Sequence, residues 1–317
     1  MDIVCSRAPG KIILFGEHFV VGGYPAIGVA VSLYAKTCVK RGDLRIYSKQ
    51  LGLIDASSME AKPFLRVIRE VSRRFKCGEE FTVYVDSEIP PGAGMGSSAA
   101  LNVSLANSLL EACRASFTRD DVNSIAYLGE VEVHGKPSGV DNALSTYGGF
   151  MYYKQGLFRR LDVQIPENVE LIVADTGVKR STGVVVREVI ERRARLGVIG
   201  DTIYQLAGLI VEEALRALES RDIVKLGELM SVNQGLLFSM GASSWVNDYL
   251  VHRMINLGAY GAKLSGAGRG GVVIGLAPAA VSEVIASRLT GEGFKVYRVK
   301  PDYSGVVLVD EVNVEPG

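Results

Sequence analysis

The chain has 317 residues, of which 48% are hydrophobic and 22% charged, so it is long enough for two domains and has the composition of a soluble globular protein. Lys and Arg total 35, as do Asp and Glu, and this balance argues against a nucleic-acid or membrane-surface partner. We find no signal-peptide pattern and no apolar run long enough to span a membrane.

The cysteines lie far apart in the sequence, at positions 5, 38, 77 and 113, without a Cys-x-x-Cys pair. This spacing argues against a zinc site, because structural zinc ligands usually come in closely spaced pairs. It also predicts free thiols, which are typical of a reducing compartment. We therefore expect a cytoplasmic protein.

The first polar cluster lies beside an apolar run. Residues 12–15 and 27–31 predict strands. Lys11, Glu17 and His18 flank the first of them, although unpaired charge is costly to bury. These side chains are therefore either solvated loop residues or part of a small-molecule site at a strand end.

A strand, a glycine-rich loop and a helix come next. Residues 44–50 predict a strand, residues 62–75 a helix, and the alternation over 81–86 a half-buried strand. The loop that follows leads into a helix predicted over 99–115, and its residues are Pro91, Gly92, Ala93, Gly94, Met95, Gly96, Ser97 and Ser98. Such a loop either presents free N–H groups to an anion such as phosphate or is a tight turn in which a serine caps the helix.

Thr118, with Asp121 three residues later, predicts a capping box that starts a helix over 119–133. Glu130 and Glu132 lie in its last turn, where the helix dipole disfavours negative charge. They are therefore either solvated or compensated by a metal or another cation. Pro137 ends the helix region.

Asp141 lies in the segment 138–142, which predicts a loop or tight turn. Further along, a strand over 170–174 leads to a basic, hydroxyl-rich loop that contains Arg180 and Thr182. That loop either caps the next helix or binds an anionic end of a substrate.

The second half is richer in helices than the first. We place a domain boundary within 153–168, which gives domains 1–160 and 161–317. The later elements are helices over 184–196, 201–219, 222–240 and 244–257, a second glycine-rich loop over 261–271, a strand over 272–276, a helix over 279–289, and strands over 294–299 and 305–310.

Four segments in this order resemble the GHMP small-molecule kinases: 8–18, 91–100, 134–142 and 263–268. Within that superfamily, the third segment is most similar to the mevalonate kinases. Galactokinases normally continue from Gly-Glu-His into Thr-Asp-Tyr, where this chain has Phe-Val-Val at 19–21. The resemblance implies a two-domain α+β fold, with an N-terminal βαβ-type domain, a C-terminal ferredoxin-like domain and the active-site cleft between them.

The resemblance also implies the reaction, which is ATP- and Mg²⁺-dependent phosphorylation of the C5 hydroxyl of mevalonate. The loop over 91–98 would hold the ATP phosphates, and Ser98 with Glu130 would hold Mg²⁺. Asp141 would accept the hydroxyl proton, and Lys11 would pair with it and stabilise the transferring phosphoryl group. The substrate-side positions would be Glu17, His18 and Thr182.

Some points stay open in the sequence. Arg269 stands where the family usually has a small residue, so it either contacts phosphate or points outward. Asp141 is either a true base or an orienting group. The alternatives in function are another GHMP kinase, acting on phosphomevalonate, homoserine or a sugar, and a non-catalytic nucleotide-binding protein. A homodimer is one of the oligomeric states left open.

Overall fold

The strands form two sheets in the computed structural model, which describes residues 3–179 and 181–310. Within these residues, one sheet has eight strands and the other has four. The first sheet contains β1 (Val4–Phe15), β2 (Ala26–Arg41), β3 (Arg45–Ser48), β4 (Gly52–Ile54), β5 (Phe81–Ser87), β6 (Phe150–Lys154), β7 (Leu157–Leu161) and β12 (Val307–Val309). The second contains β8 (Val169–Asp175), β9 (Gly261–Ser265), β10 (Val272–Pro278) and β11 (Lys295–Val299).

The first sheet is organised around the long antiparallel pair β1 and β2. Its main order is β12-β1-β2-β5-β3-β4, and the hairpin of β6 and β7 pairs with the start of β2. The register between β1 and β2 shifts between Pro9 and Gly10. At this irregularity the Lys11 N–H donates to the Met95 carbonyl at 2.9 Å, which attaches β1 to the glycine loop while its pairing with β2 continues.

The second sheet has the order β11-β8-β10-β9, with every neighbouring pair antiparallel. Counted along the chain, β8, β9, β10 and β11 are the first to fourth strands of this sheet, so their spatial order is 4-1-3-2, which is that of a ferredoxin-like sheet. This confirms the expected α+β class. The last strand, β12, leaves this half of the chain and pairs with Arg7, Ser6 and Cys5 of β1. The division into domains at residue 160 stays a prediction.

The helices pack against both sheets and against one another. Along the chain they are α1 (Lys62–Phe75), α2 (Ser97–Ala112), α3 (Arg119–His134), α4 (Val140–Tyr147), α5 (Thr182–Leu196), α6 (Val198–Glu219), α7 (Ile223–Ser239), α8 (Trp245–Asn256) and α9 (Ala279–Gly291). Helix α2 is buried on nearly all sides between the first sheet and α1, α3 and α4. A helix with mostly small and apolar side chains suits that position. Within the described residues, no helix is both long and apolar enough to cross a membrane.

Several helix ends follow the sequence closely. Helix α1 has the expected bounds, and the capping box of α3 is formed: Asp121 N donates to Thr118 Oγ1, and Thr118 N donates to Asp121 Oδ2. Helix α7 is capped by Asp222, whose side chain accepts from Lys225 N.

The sequence predicted a loop or tight turn over 138–142, but only the first part of this segment is a loop. Helix α4 begins at Val140 after Gly139, which has a φ of 82°. The helix is only eight residues long and contains Ser145 and Thr146, so its intrinsic helix propensity is weak. Tertiary contacts compensate, because residues 142–146 are buried and Ser145 Oγ donates to the Pro9 carbonyl at 2.8 Å.

The prediction of free thiols is wrong. Cys5 and Cys38 form a disulfide between neighbouring strands, and Cys77 and Cys113 join the end of α1 to the end of α2. These partners are 33 and 36 residues apart in sequence, and the strand register and helix packing bring them together. Sequence spacing alone does not show such proximity. The thiol argument for a cytoplasmic location therefore no longer applies.

The disulfides are directly testable. We expect the protein, denatured without reductant, to contain no titratable thiol, because all of the Cys5, Cys38, Cys77 and Cys113 sulfurs are paired. Removing one bridge by the Cys77→Ala and Cys113→Ala substitutions should lower the free energy of unfolding by about 2–4 kcal/mol, since the unfolded chain gains freedom. Chemical denaturation followed by circular dichroism measures this change. Four free thiols in the denatured wild-type chain would contradict the pairing.

Candidate active site

The glycine loop has the conformation that its sequence requires. Gly92, Gly94 and Gly96 all have positive φ, at 73°, 84° and 74°. Other residues reach this left-handed region only at an energetic cost. Between the glycines, Ala93 and Met95 are buried and anchor the loop. The backbone of the loop is therefore fixed while its glycines stay accessible.

Helix α2 begins directly after the loop, and no side chain caps it. Gly96 is the N-cap, and α2 starts with Ser97 and Ser98, neither of which makes a capping hydrogen bond. The interpretation of a serine-capped turn is thus wrong. The helix N-terminus is left with donor N–H groups beside a glycine loop, an arrangement that suits an anion.

Lys11 connects the glycine loop to Asp141. Its Nζ donates to the Gly94 carbonyl at 3.0 Å and lies 3.2 Å from Asp141 Oδ1. A Cβ at Gly96 would lie 2.9 Å from Lys11 Cγ, so only glycine leaves space for the lysine stem. The ammonium group is therefore held at the junction of the loop and α4.

Asp141 lies in the first turn of α4. Its side chain is about one-third exposed, whereas that of Lys11 is almost buried. A carboxylate is favourable at a helix N-terminus because the helix dipole is positive there. Asp141 thus remains accessible to a small molecule while its position is set by the helix and by Lys11.

Glu130 is buried near the same place. Ser98 Oγ donates to Glu130 Oε1, and Asn102 Nδ2 donates to the same oxygen at 3.0 Å. The His134 Nε2 atom lies 3.6 Å from the other oxygen, Oε2. Glu132, two residues further along α3, is exposed. The interpretation as a solvated residue is therefore wrong for Glu130 and correct for Glu132.

Burial raises the pKa of the Glu130 carboxyl, and the negative charge of Asp141 raises it further. The hydrogen bonds from Ser98 and Asn102 and the charge of His134 act in the opposite direction. A cation placed between the two carboxylates would relieve this repulsion, because opposite charge favours the ionised form.

Glu17 and His18 contact β9 and the loop that follows it. Lys263 is fully buried and forms an ion pair with Glu17, which is itself buried. His18 Nε2 donates to the Ala267 carbonyl at 2.8 Å. Burial raises the pKa of Glu17 and lowers that of Lys263, and their mutual attraction opposes both changes. Glu17 and His18 are thus built into the structure and are not solvated loop residues.

Ser265 joins the two sheets directly. Its Oγ donates to the Ile13 carbonyl at 2.9 Å and accepts from the Ile13 N–H at 3.0 Å. The Ser265 hydroxyl thus satisfies both backbone hydrogen-bonding groups of Ile13, which a neighbouring strand would otherwise do. The end of β1, with Glu17 and His18, is therefore held against β9.

Thr182 is not joined to this group by any contact in the part of the chain that the structure describes. It is exposed at the start of α5, and Arg180 lies outside the described residues. The preceding segment is attached to the second glycine loop, since the Gly271 N–H donates to the Val178 carbonyl at 3.2 Å. The substrate-side role of Thr182 stays a prediction.

Arg269 anchors the second glycine loop. Its Nε donates to the Gly241 carbonyl at 2.8 Å, and its guanidinium pairs with Glu188 of α5. The residue has a φ of 49°, a conformation usually left to glycine. The side chain thus reaches toward α5 and the turn between α7 and α8.

Sequence reasoning gave no role to Lys263, Asn102 or Ser265. A signal was present for Lys263, because a lysine within a run of small and apolar residues requires a partner when buried. For Asn102 and Ser265 we find no comparable signal. Their partners, Glu130 and Ile13, come from distant parts of the chain.

Comparisons with known proteins identify the family of this chain. Residues 62–149 match the GHMP kinase N-terminal domain, and residues 214–294 match the GHMP kinase C-terminal domain. A mevalonate kinase of Aeropyrum pernix is 42% identical over 284 residues, which cover 86% of this chain and 87% of the relative. The chain belongs to the GHMP kinase family. Members of this family use ATP as the phosphoryl donor, and the matched N-terminal region contains the glycine loop, Glu130 and Asp141.

The chain is also similar to other proteins of this family in sequence and in structure. A mevalonate kinase of Pyrococcus abyssi is 33% identical, covering 94% of this chain and 99% of the relative. The crystal structure of L. major mevalonate kinase in complex with R-mevalonate has a TM-score of 0.82 and 28% identity, covering 94% of this chain and 96% of that one. The structure of Lactococcus lactis galactokinase, at 18% identity and a TM-score of 0.74, shares the fold alone.

Proposed function

We propose that the protein phosphorylates the C5 hydroxyl of mevalonate with ATP and Mg²⁺, giving 5-phosphomevalonate. The observation that carries the proposal is the Lys11–Asp141 pair, with 3.2 Å between Nζ and Oδ1, held beside the glycine loop. Relatives with up to 42% identity over most of the chain are mevalonate kinases, which supports the choice of acceptor.

The glycine loop is proposed to bind the β- and γ-phosphates of ATP. Backbone N–H groups over residues 92–98 and the N-terminus of α2 supply donors and a positive dipole end. Pro91 begins this segment, and the positive φ angles of its glycines give the loop a backbone conformation that other residues rarely adopt. Catalysis of phosphoryl transfer depends mainly on such positioning and charge stabilisation.

Mg²⁺ is proposed to be held by Ser98 and Glu130. Both offer hard oxygen donors, which Mg²⁺ prefers, and their oxygens already lie together. The described residues contain no cluster of three or more His, Cys, Asp or Glu side chains that could hold a metal. Mg²⁺ commonly uses one or two protein ligands and completes its shell with water and phosphate. When bound, the ion neutralises phosphate charge.

Asp141 and Lys11 are proposed to act on the acceptor hydroxyl. Asp141 has an accessible carboxylate that accepts the proton as the oxygen attacks, or orients the hydroxyl before attack. The Lys11 ammonium beside it stabilises negative charge on that oxygen and on the transferring group. Glu17, His18 and Thr182 are proposed to contact mevalonate.

The alternative acceptors are phosphomevalonate, homoserine and sugars. Solved structures of a phosphomevalonate kinase and a homoserine kinase share the fold at 17% and 16% identity, so the fold does not discriminate among acceptors. A non-catalytic binding protein has no use for a base beside a phosphate loop, and the Lys11–Asp141 pair therefore favours an enzyme. The homodimer, and the absence of nucleic-acid and membrane partners, stay predictions.

The choice of acceptor is tested by ADP release with mevalonate, phosphomevalonate, homoserine and galactose under identical conditions. We expect mevalonate to give the highest kcat/KM, because a relative that is 42% identical over most of the chain is a mevalonate kinase. A higher kcat/KM with another acceptor would overturn the assignment. No ADP release with any of them would favour the binding protein.

The role of Asp141 is tested by Asp141→Asn. This variant keeps the size of the side chain but removes the basic oxygen, so kcat should fall roughly a hundredfold or more. ATP affinity, measured by calorimetry, should change little because the glycine loop is intact. Asp162→Asn, an exposed aspartate, is the matched control and should keep full activity. Near-normal turnover by Asp141→Asn would rule out the role.

A further inference from the structure

Four charged side chains of alternating sign run from the second sheet into the active site. Lys263 of β9 pairs with Glu17, and Lys11 of β1 pairs with Asp141 of α4. The two pairs also interact, because the positive charge of Lys11 lowers the pKa of Glu17, although less than Lys263 does. Lys263 is thus linked to Asp141 through Glu17 and Lys11.

The Glu17 carboxylate is poorly supplied with other partners. Its Oε1 accepts from Lys263, whereas its Oε2 is buried without a hydrogen-bond partner among the described residues. The cation in contact with it is Lys263 of β9. The positive charge of Lys11 on β1 also lowers the pKa of Glu17. A buried carboxylate that loses its cation either takes up a proton or attracts the next cation. For Glu17 that next cation is Lys11.

Lys11 therefore has two possible carboxylate partners, Asp141 and Glu17. Its Nζ now lies 3.2 Å from Asp141 Oδ1 and donates to the Gly94 carbonyl. Asp141 is the more exposed of the two carboxylates, so water weakens its attraction for Lys11 relative to that of buried Glu17. The pairing with Asp141 persists because Lys263 already neutralises Glu17.

We propose that Lys263 is a positioning residue of the active site, which occupies Glu17 and so keeps Lys11 on Asp141. The proposal rests on the function proposed above, in which Lys11 and Asp141 act on the acceptor hydroxyl. A side chain of the second sheet would thus affect a catalytic lysine that belongs to the first sheet. Lys263 itself is fully buried and acts only through Glu17.

The direct test is Lys263→Met, which keeps a long side chain without the charge. With Lys11 drawn toward Glu17, kcat should fall about tenfold or more, because small displacements of catalytic groups are costly. The double variant Glu17→Gln, Lys263→Met removes both charges and should have the kcat of Glu17→Gln alone. Lys225→Met, which breaks the surface pair with Glu213, is the matched control and should keep the wild-type kcat.

The pH profile separates this role from a merely structural one. Burial already raises the pKa of Glu17, and loss of the Lys263 charge, which lowers it, must raise it further. In Lys263→Met, Glu17 is therefore neutral at low pH, where Lys11 stays on Asp141, and ionises as the pH rises. The ratio of wild-type to variant kcat should increase with pH. A ratio that is constant with pH, or a double variant as impaired as Lys263→Met, would overturn the proposal.

Two measurements keep the test decisive. If Lys263→Met fails to fold, the double variant, with no unpaired buried charge, still tests whether Lys263 matters once Glu17 is neutral. If the wild-type chain does not phosphorylate mevalonate, the proposed function fails, but a crystal structure of Lys263→Met still decides the positioning. Lys11 displaced toward Glu17 would support it, and Lys11 still on Asp141 would contradict it.

Discussion

The buried ion pair between Glu17 and Lys263 is the constraint on which the site depends. It joins the end of β1 to β9, and hence the first sheet to the second, at a place from which water is excluded. Loss of one partner of such a pair typically costs about 3–5 kcal/mol, because the other charge is left uncompensated. The Ser265–Ile13 and His18–Ala267 hydrogen bonds lie on the same seam. These contacts hold the first and second sheets together beside the active site.

Most of the charged side chains around the site are arranged in pairs of opposite sign. Lys11 offsets Asp141, and Lys263 offsets Glu17, whereas Glu130 is held mainly by hydrogen bonds and has a raised pKa. Glu130, which is hydrogen-bonded to Ser98 at the start of α2, has no lysine or arginine partner among the described residues. A divalent cation bound with nucleotide phosphates would complete the balance there.

Local sequence signals predicted the elements that local interactions determine. The glycine loop, the bounds of α1 and the capping box of α3 all follow from residues within a few positions of one another. The sequence did not reveal features that depend on distant contacts. Helix α4 forms because its buried face packs on β1 and α2, and the disulfides form because folding brings distant cysteines together. The partner of Lys263 is 246 residues away along the chain, so spacing could not identify it.

The central claim is that one glycine loop, one cation site and one Lys–Asp pair act on the same acceptor hydroxyl. A crystal structure with mevalonate, a non-hydrolysable ATP analogue and Mg²⁺ tests it most directly. We expect the ion at about 2.0–2.1 Å from Ser98 Oγ and a Glu130 oxygen. We also expect the C5 hydroxyl at about 2.6–3.2 Å from an Asp141 oxygen and in line with the γ-phosphate. Mevalonate bound with its C5 hydroxyl away from Asp141, or an ion that leaves Ser98 and Glu130 uncoordinated, would contradict it.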